Sequence, residues 1–528
     1  MFFGMGLVAP LATLVVSGIT LNRGVWKHLA STRLPSMAWS TIVLAALVCL
    51  GTLILGTTLA WLVTAYRFPG RSLMAWLLPM PLAMPAYVLG FLFVSSMDYA
   101  GPIQSWARSV FGRDVWFPDV RSIPWAAFVM SLTFYPYVFL LARAAFREQS
   151  AGMLEVARTA GFGPLETFFK VVFPLARPSL AAGASLAVME TLTDFATVRL
   201  FNVQTLADGV FRVWFGLGDR QAATQLAVAL LVFAVIVVAL ERIMRRRARY
   251  TQQSGGTRPL SPVVLRGLKA WAVTALTATV VLLSLGIPLV WLTSWAWEAT
   301  RRGLTRTPVG GFVDHAYHSV FLAVLSCILC LTVATLLANA VRFEENPIVK
   351  VSARLVTVGY AIPGAVAAVG VVLVLTSLDR VSSSIFSRWI FITGSLAGLA
   401  YAYVVRYAAV GCYSLEASLA KVTPSITWSA RTLGARPTKV LWKIHLPMMR
   451  SGAVMAAALV FLDVMKELPA TLLLRPFGYD TLAVWIWRMT SESRWIEASL
   501  PALALVSVCL VPMGIFVRRF EKGEGSLT

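Results

Sequence analysis

Long apolar stretches alternate along this chain with short polar and basic segments, and within the stretches hydrophobic residues run on without the period-two alternation of a membrane barrel. Stretches of about 18 to 25 residues are the length that carries a helix across a bilayer. The pattern predicts twelve such helices, near 3–20, 37–64, 72–97, 123–142, 179–201, 224–241, 268–298, 318–341, 353–377, 389–412, 452–474 and 500–517. The densest basic run, Arg245-Arg246-Arg247 with Arg249, follows the sixth stretch and leads into the polar, glycine-bearing segment Thr251 to Thr257. A linker over 251–267 is expected there, dividing a first half, 1–250, from a second, 268–528.

Composition agrees with that division into spans and loops. With 58% hydrophobic and 13% charged residues over 528 positions, an ordinary soluble domain is excluded. The formal charge of +22 does not point to nucleic acid, because the arginines sit mainly between apolar stretches, where they set topology. If the loops after spans four and ten face inward, about 28 of the 46 Lys and Arg lie inside and about 17 outside, which puts both termini on the inner side. The first apolar stretch has no small-residue cleavage site and is expected to stay as a span.

Little in the chain resembles catalytic or metal chemistry. Cys49, Cys327, Cys330, Cys412 and Cys509 fall within or at the ends of apolar stretches, so they are expected to be small buried hydrophobes and not a disulfide framework. Asp314, His315 and His318 cluster on an expected outer loop, where three neighbouring polar residues are ordinarily just solvated. No GxxxxGK[ST] occurs, so the chain carries no P-loop of its own, and no nucleophile-base pair is visible.

Two polar loops repeat each other. Ala157-Arg158-Thr159, Gly161, Pro164, Lys170, Pro174 and Arg177 recur 273 residues later as Ala430-Arg431-Thr432, Gly434, Pro437, Lys443, Pro447 and Arg450. In each copy a short helix ends at the glycine, and the proline after it begins the next helix. Ala157 and Ala160, three apart, give the first short helix a face that a partner can approach closely. Such a helix hung on proline-punctuated arms suits the transmission of a push.

Glu155-Val156-Ala157, Gly161, Val171 and Phe173-Pro174 resemble the EAA loop of ABC importer permeases, with glycine and proline thirteen apart. The second copy keeps the spacing and ends in Ile444-His445-Leu446-Pro447, but Trp428-Ser429-Ala430 stands where Glu-Ala-Ala is the pattern. Met189 to Thr197 with Arg212 to Gly216, and Asp463 to Thr471 with Asp480 to Val484, resemble the fused permeases of ferric iron importers, whose architecture phosphonate and thiamine permeases share. The resemblance implies an all-α polytopic fold of the type I importer class, built from two homologous halves. It implies two copies of a cytoplasmic ABC ATPase, which use ATP and Mg, a periplasmic substrate-binding protein, a bacterial inner membrane and no cofactor on this chain. It also implies that Glu155, Ala157, Gly161, Pro174, Trp428, Ala430, Gly434 and Pro447 couple the permease to the ATPase.

Charge inside the spans is a separate matter. Glu190 and Asp194 are four apart, hence on one helical face, and 273 residues on stand Asp463 and Glu467. A span beginning near Ser179 places Glu190 roughly 16 Å and Asp194 roughly 22 Å into a layer of about 30 Å. At about 2.5 to 3.5 kcal/mol per buried charge, four lipid-facing carboxylates cost on the order of 10 kcal/mol, so a wet or paired interior is expected. Two arrangements meet that demand. The four line a translocation path that favours a cation, or they are neutralised locally, with Lys466 against Asp463 or Glu467 and Arg199 near Asp194. A secondary transporter also uses internal repeats and intramembrane carboxylates, yet has no need of twin loops of this kind, and a scaffold has no reason to bury four acids.

Overall fold

The computed structural model describes residues 2–19, 23–149, 155–157, 159–246, 262–304, 309–343, 346–359, 362–386, 392–420 and 422–525. Arg158 and the linker positions 251–261 lie outside them. Each of the twelve apolar stretches falls on a helix, or on successive helices, among the described residues. Nine helices are long and apolar enough to cross a membrane, and a tenth span is made by two helical segments, Arg71–Ala83 and Ala86–Phe111, bent by 90° at their junction. The first helix, Phe2–Ile19, has a shorter apolar part, Gly6–Gly18. Leu396–Ala420 differs in carrying Arg406 within a helix that is buried along most of its length.

Two compact units share the chain, and each takes residues from both ends of it. One comprises Lys27–Gly209 and Val232–Trp297, with the last few residues. Its core packs Leu34–Ala65, Ile123–Glu148 and Phe173–Thr193 against one another. Close approach explains how three bulky helices fit. A Cβ at Gly56 would stand 2.6 Å from the Val138 Cβ, and one at Gly183 would stand 2.7 Å from the Val138 Cα, so glycine on both flanks admits the middle helix. Tyr135, fully buried on that helix, donates its hydroxyl to the Leu78 carbonyl at 2.7 Å. Leu268–Val281 joins this unit through Thr274, whose hydroxyl bonds the Pro69 carbonyl at 2.9 Å. A two-residue parallel bridge of Tyr66–Arg67 with Val263–Val264 adds to that attachment.

The other unit comprises Met1–Trp26, Val210–Leu231 and Glu298–Glu524. Its core packs Val309–Phe343, Leu396–Ala420 and Leu446–Met465, and the last two begin 273 residues after their counterparts at Ile123 and Phe173. Here Phe2–Ile19 packs on Pro347–Val358 and Gly364–Phe386, close enough that a Cβ at Gly370 would lie 2.6 Å from the Pro10 carbonyl oxygen. The division by packing therefore differs from the division by sequence repeat. The first helix of the chain packs with second-half helices, and the helix that opens the second half packs with first-half helices.

Cys327, Cys330, Cys412 and Cys509 are buried and unpaired, as expected of small hydrophobes, and the Cys327 thiol reaches the Ala457 carbonyl at 3.3 Å. His315 and His318 do not lie on a solvated loop. They occupy the first turns of Val309–Phe343, and each Nδ1 lies 3.1 Å from the Asp480 carbonyl oxygen.

Candidate functional site

The repeated loops fold alike, bond for bond. Glu155 to Ala157 is helical, and the Phe162 N–H donates back to the Ala157 carbonyl at 3.0 Å while Gly161 takes φ +83°. In the second loop Pro424–Thr432 is helical, the Ala435 N–H donates to the Ala430 carbonyl at 3.0 Å, and Gly434 takes φ +79°. Both ends are Schellman caps, which need a residue in the left-handed region and so select glycine. Glu155 and Trp428 are exposed, Ala157 is buried and Ala430 half-buried.

Each arm then turns back toward its long helix in the same way. Pro164 and Pro437 occupy the first turn of a short helix, where a missing N–H leaves nothing unbonded. A five-residue π turn follows in both, Phe168–Val172 and Leu441–His445, after which the Phe173 N–H bonds the Phe168 carbonyl and the Leu446 N–H the Leu441 carbonyl. Pro174 and Pro447 supply the reason. Within a regular helix each ring would press on the carbonyl four residues earlier, and a widened turn relieves that clash.

At the far end of these helices the carboxylates appear, and in both units the helix breaks there. Phe173–Thr193 stops at Asp194, whose backbone is extended and whose Oδ1 accepts the Thr197 N–H at 2.8 Å, capping the short helix Phe195–Leu200. The Thr197 hydroxyl donates to the other oxygen. Leu446–Met465 stops before Lys466, and Glu467 Oε1 accepts the Ala470 N–H at 2.9 Å at the start of Pro469–Leu474. The other Glu467 oxygen accepts from the Arg406 guanidinium and the Tyr407 hydroxyl. Asp463 is buried beside Lys466, whose Nζ lies 3.1 Å from its carboxylate, and Glu190 is half-buried one turn before the first break.

Local neutralisation thus holds for Asp463 through Lys466, but Arg199 is not the partner of Asp194. It pairs at 3.1 Å with Asp208, which is fully buried at the head of the next helix. Asp480 plays the matching part in the second unit, taking Arg475 and, at 2.8 Å, Arg488. Both following helices are begun alike. Thr205 and Thr481 each accept an N–H from three residues on, Asp208 and Val484, and hydroxyls of Thr41 and Ser319 accept the Leu206 and Leu482 N–H groups at 3.0 and 2.8 Å.

Sequence reasoning passed over Arg406, Asp208 and Asp480. Arg406 was legible in principle, since a single arginine inside an apolar helix demands an acid across the bundle. No group of three or more His, Cys, Asp or Glu suited to hold a metal ion occurs among the described residues.

Residues 52–250 match the family of binding-protein-dependent transport system inner membrane components. Over 514 residues the chain is 26% identical to the Fe(3+)-transport system permease protein FbpB 2 of Haemophilus influenzae, covering 97% of this chain and 95% of that protein. It is 33% identical over 164 residues to the molybdenum transport system permease protein ModB of Azotobacter vinelandii, covering 30% of this chain and 69% of that one. It is 27% identical over 202 residues to the sulfate transport system permease protein CysT of Escherichia coli, covering 38% and 70%. The first match runs through both halves, as a fused two-half permease requires. The chain is a multi-pass membrane protein and belongs to the family of binding-protein-dependent transport system inner membrane components.

Proposed function

We propose that this chain is the fused permease of an ABC importer that receives ferric iron from a periplasmic binding protein and releases it into the cytoplasm. The observation that carries the importer reading is the pair of arms. Two loops with the same helix cap, the same proline start and the same π turn imply one mechanical task performed twice, which fits two ATPase copies docking on Glu155, Ala157, Gly161 and Pro174 and on Trp428, Ala430, Gly434 and Pro447. In this reading the arms face the cytoplasm, ATP and Mg belong to the ATPase, and the whole works by alternating access with no covalent chemistry on the permease.

Each arm runs directly into a helix that breaks at a carboxylate. A push on the arm reaches Asp194 or Glu467 through one continuous rod of about 30 Å, at 1.5 Å per residue. We assign Asp194 and Glu467 to holding the broken helix, and Glu190 and Asp463, one turn earlier, to lining the path. An acidic lining suits a cation and opposes molybdate and sulfate, the anions named for two of the relatives. The end-to-end match to an Fe(3+) permease supports the same choice of cargo.

The test is uptake into vesicles carrying this chain, its ATPase and its binding protein, with ferric iron, molybdate, sulfate, thiamine and 2-aminoethylphosphonate offered separately. ATP-dependent accumulation of ferric iron alone is expected. Accumulation of another compound in its place would sink the cargo, and accumulation driven by an ion gradient without ATP would sink the importer class.

A further inference from the structure

We propose that the short helix Pro102–Phe111 is an interfacial helix, bound to the bilayer surface through Trp106, Val110 and Phe111. It lies in the connection 98–122, between the end of Ala86–Met97 and the start of the membrane-crossing helix Ile123–Glu148.

The connection is held at the level where those helices end. A Cβ on Gly101 would come within 2.4 Å of the Ser96 carbonyl oxygen and 2.6 Å of that of Ser95, so the chain doubles back directly against the last turn of Ala86–Met97. Gln104 donates to the Met97 carbonyl at 3.0 Å. Arg108 donates to the Tyr99 carbonyl at 2.6 Å with its guanidinium 3.9 Å from the Tyr99 ring centre, and Arg121 closes the connection on Asp98 at 2.8 Å. Aromatic side chains mark the same level on the neighbouring helix. Trp125 and Phe128 stand 5.8 Å apart in its first turns, and Phe128 touches Phe93 of Ala86–Met97 at 5.9 Å. Tryptophan at a span end is the ordinary marker of the membrane-water boundary.

Held there, the helix turns Ala107 to the protein and leaves Trp106, Val110 and Phe111 between 56% and 68% exposed. At 100° per residue Trp106 and Val110 lie about 40° apart and Phe111 about 140° from Trp106, while Ser105 stands on the opposite side. A helix with one apolar aromatic arc and one polar face, fixed at the end of a span, continues the lipid-facing surface of the spans into the headgroup layer. Its occupant is therefore the lipid surface and not a polypeptide.

Spin labels placed singly by Val110→Cys, Phe111→Cys and Ser105→Cys, with the five native cysteines replaced, report this in full-length protein in lipid nanodiscs. Collisions with oxygen should exceed those with a water-soluble nickel chelate at Val110 and Phe111, and the order should reverse at Ser105. Chelate collisions dominating at all three sites would overturn the proposal, as would shielding of Val110 from both reagents. A partner-protein face would instead show chelate access at Val110 that is lost only when the binding protein is added, and that result also overturns it. Labels at two apolar positions guard against one substitution disturbing the helix.

Discussion

The two arms share a backbone and are anchored by opposite chemistry. Behind the first, Trp61, Phe146 and Phe168 form an aromatic cluster, with Trp61 5.4 Å from Phe146 and 5.3 Å from Phe168. Behind the second, at the position equivalent to Val172, stands His445, fully buried with Nε2 3.0 Å from the Thr427 hydroxyl and Nδ1 2.9 Å from Asn339 Oδ1. Arg342 adds two bonds to the chain just before the second arm, at 2.9 Å to the Leu419 carbonyl and 2.6 Å to that of Val422. The helix breaks differ in the same direction: Asp194 is satisfied by its own local helix, whereas Glu467 also takes a buried arginine and a tyrosine from Leu396–Ala420. The difference teaches that the cap, the proline start and the π turn are what the task demands. How the arm is tied to the bundle is negotiable, by packing in one unit and by polar contacts in the other.

The breaks separate the units most sharply. Glu467→Gln removes the charge that balances buried Arg406, and breaking a buried pair by changing one member costs about 3 to 5 kcal/mol. Asp194→Asn exchanges one good helix-capping side chain for another and should cost about 1 kcal/mol or less. Thermal unfolding of the purified chain should therefore show a large drop for the first and a small one for the second. Equal drops would break the contrast, and an unchanged Glu467→Gln protein that fails only in uptake would return Glu467 to the translocation path.

The anchors come next in size. His445→Val installs the first unit's residue and leaves the Thr427 hydroxyl and Asn339 amide without their buried partner, at about 1 to 3 kcal/mol for each group. Replacing the partners as well, by Asn339→Leu and Thr427→Val, should recover most of the lost stability, because an apolar set needs no hydrogen bonds. Unfolding midpoints of the single and triple variants decide the matter. A neutral single variant would mean that the polar anchor contributes nothing to the hold on the second arm.

The sequence carried the arms well and the anchors poorly, for a physical reason. Gly161, Gly434, Pro164, Pro437, Pro174 and Pro447 act on their own backbone, so their consequences can be read from spacing alone. His445 reaches Asn339 across 106 residues and Glu467 reaches Arg406 across 61, and only the packing of helices brings such groups together. Lys466 was legible as the partner of Asp463 because it lies three residues away on the same chain segment. Arg199 was misplaced for the complementary reason: its neighbour in sequence, Asp194, is already spent on a cap, and its acid stands one helix further on. Nor does periodicity reveal that Phe2–Ile19 packs with second-half helices, since a helix apolar on all sides does not name its neighbour.

The smallest effect on stability belongs to the two residues that distinguish the arms most plainly in sequence. Glu155 and Trp428 are both exposed, Trp428 at 58% with the Arg431 guanidinium 5.5 Å from its ring, so neither Glu155→Ala nor Trp428→Ala should move the unfolding midpoint by more than about 0.5 kcal/mol. Their effect should fall on the ATPase. If a carboxylate is what the docking cleft reads, Glu155→Ala should reduce co-purification of the ATPase and ATP-coupled uptake more than Trp428→Ala does. If the cleft reads apolar area instead, the order reverses, because Trp428 presents the larger exposed surface. Equal, mild losses would say that the two sites are redundant, and would extend the lesson of the anchors to the tips: the arm's geometry is held fixed while its chemistry varies.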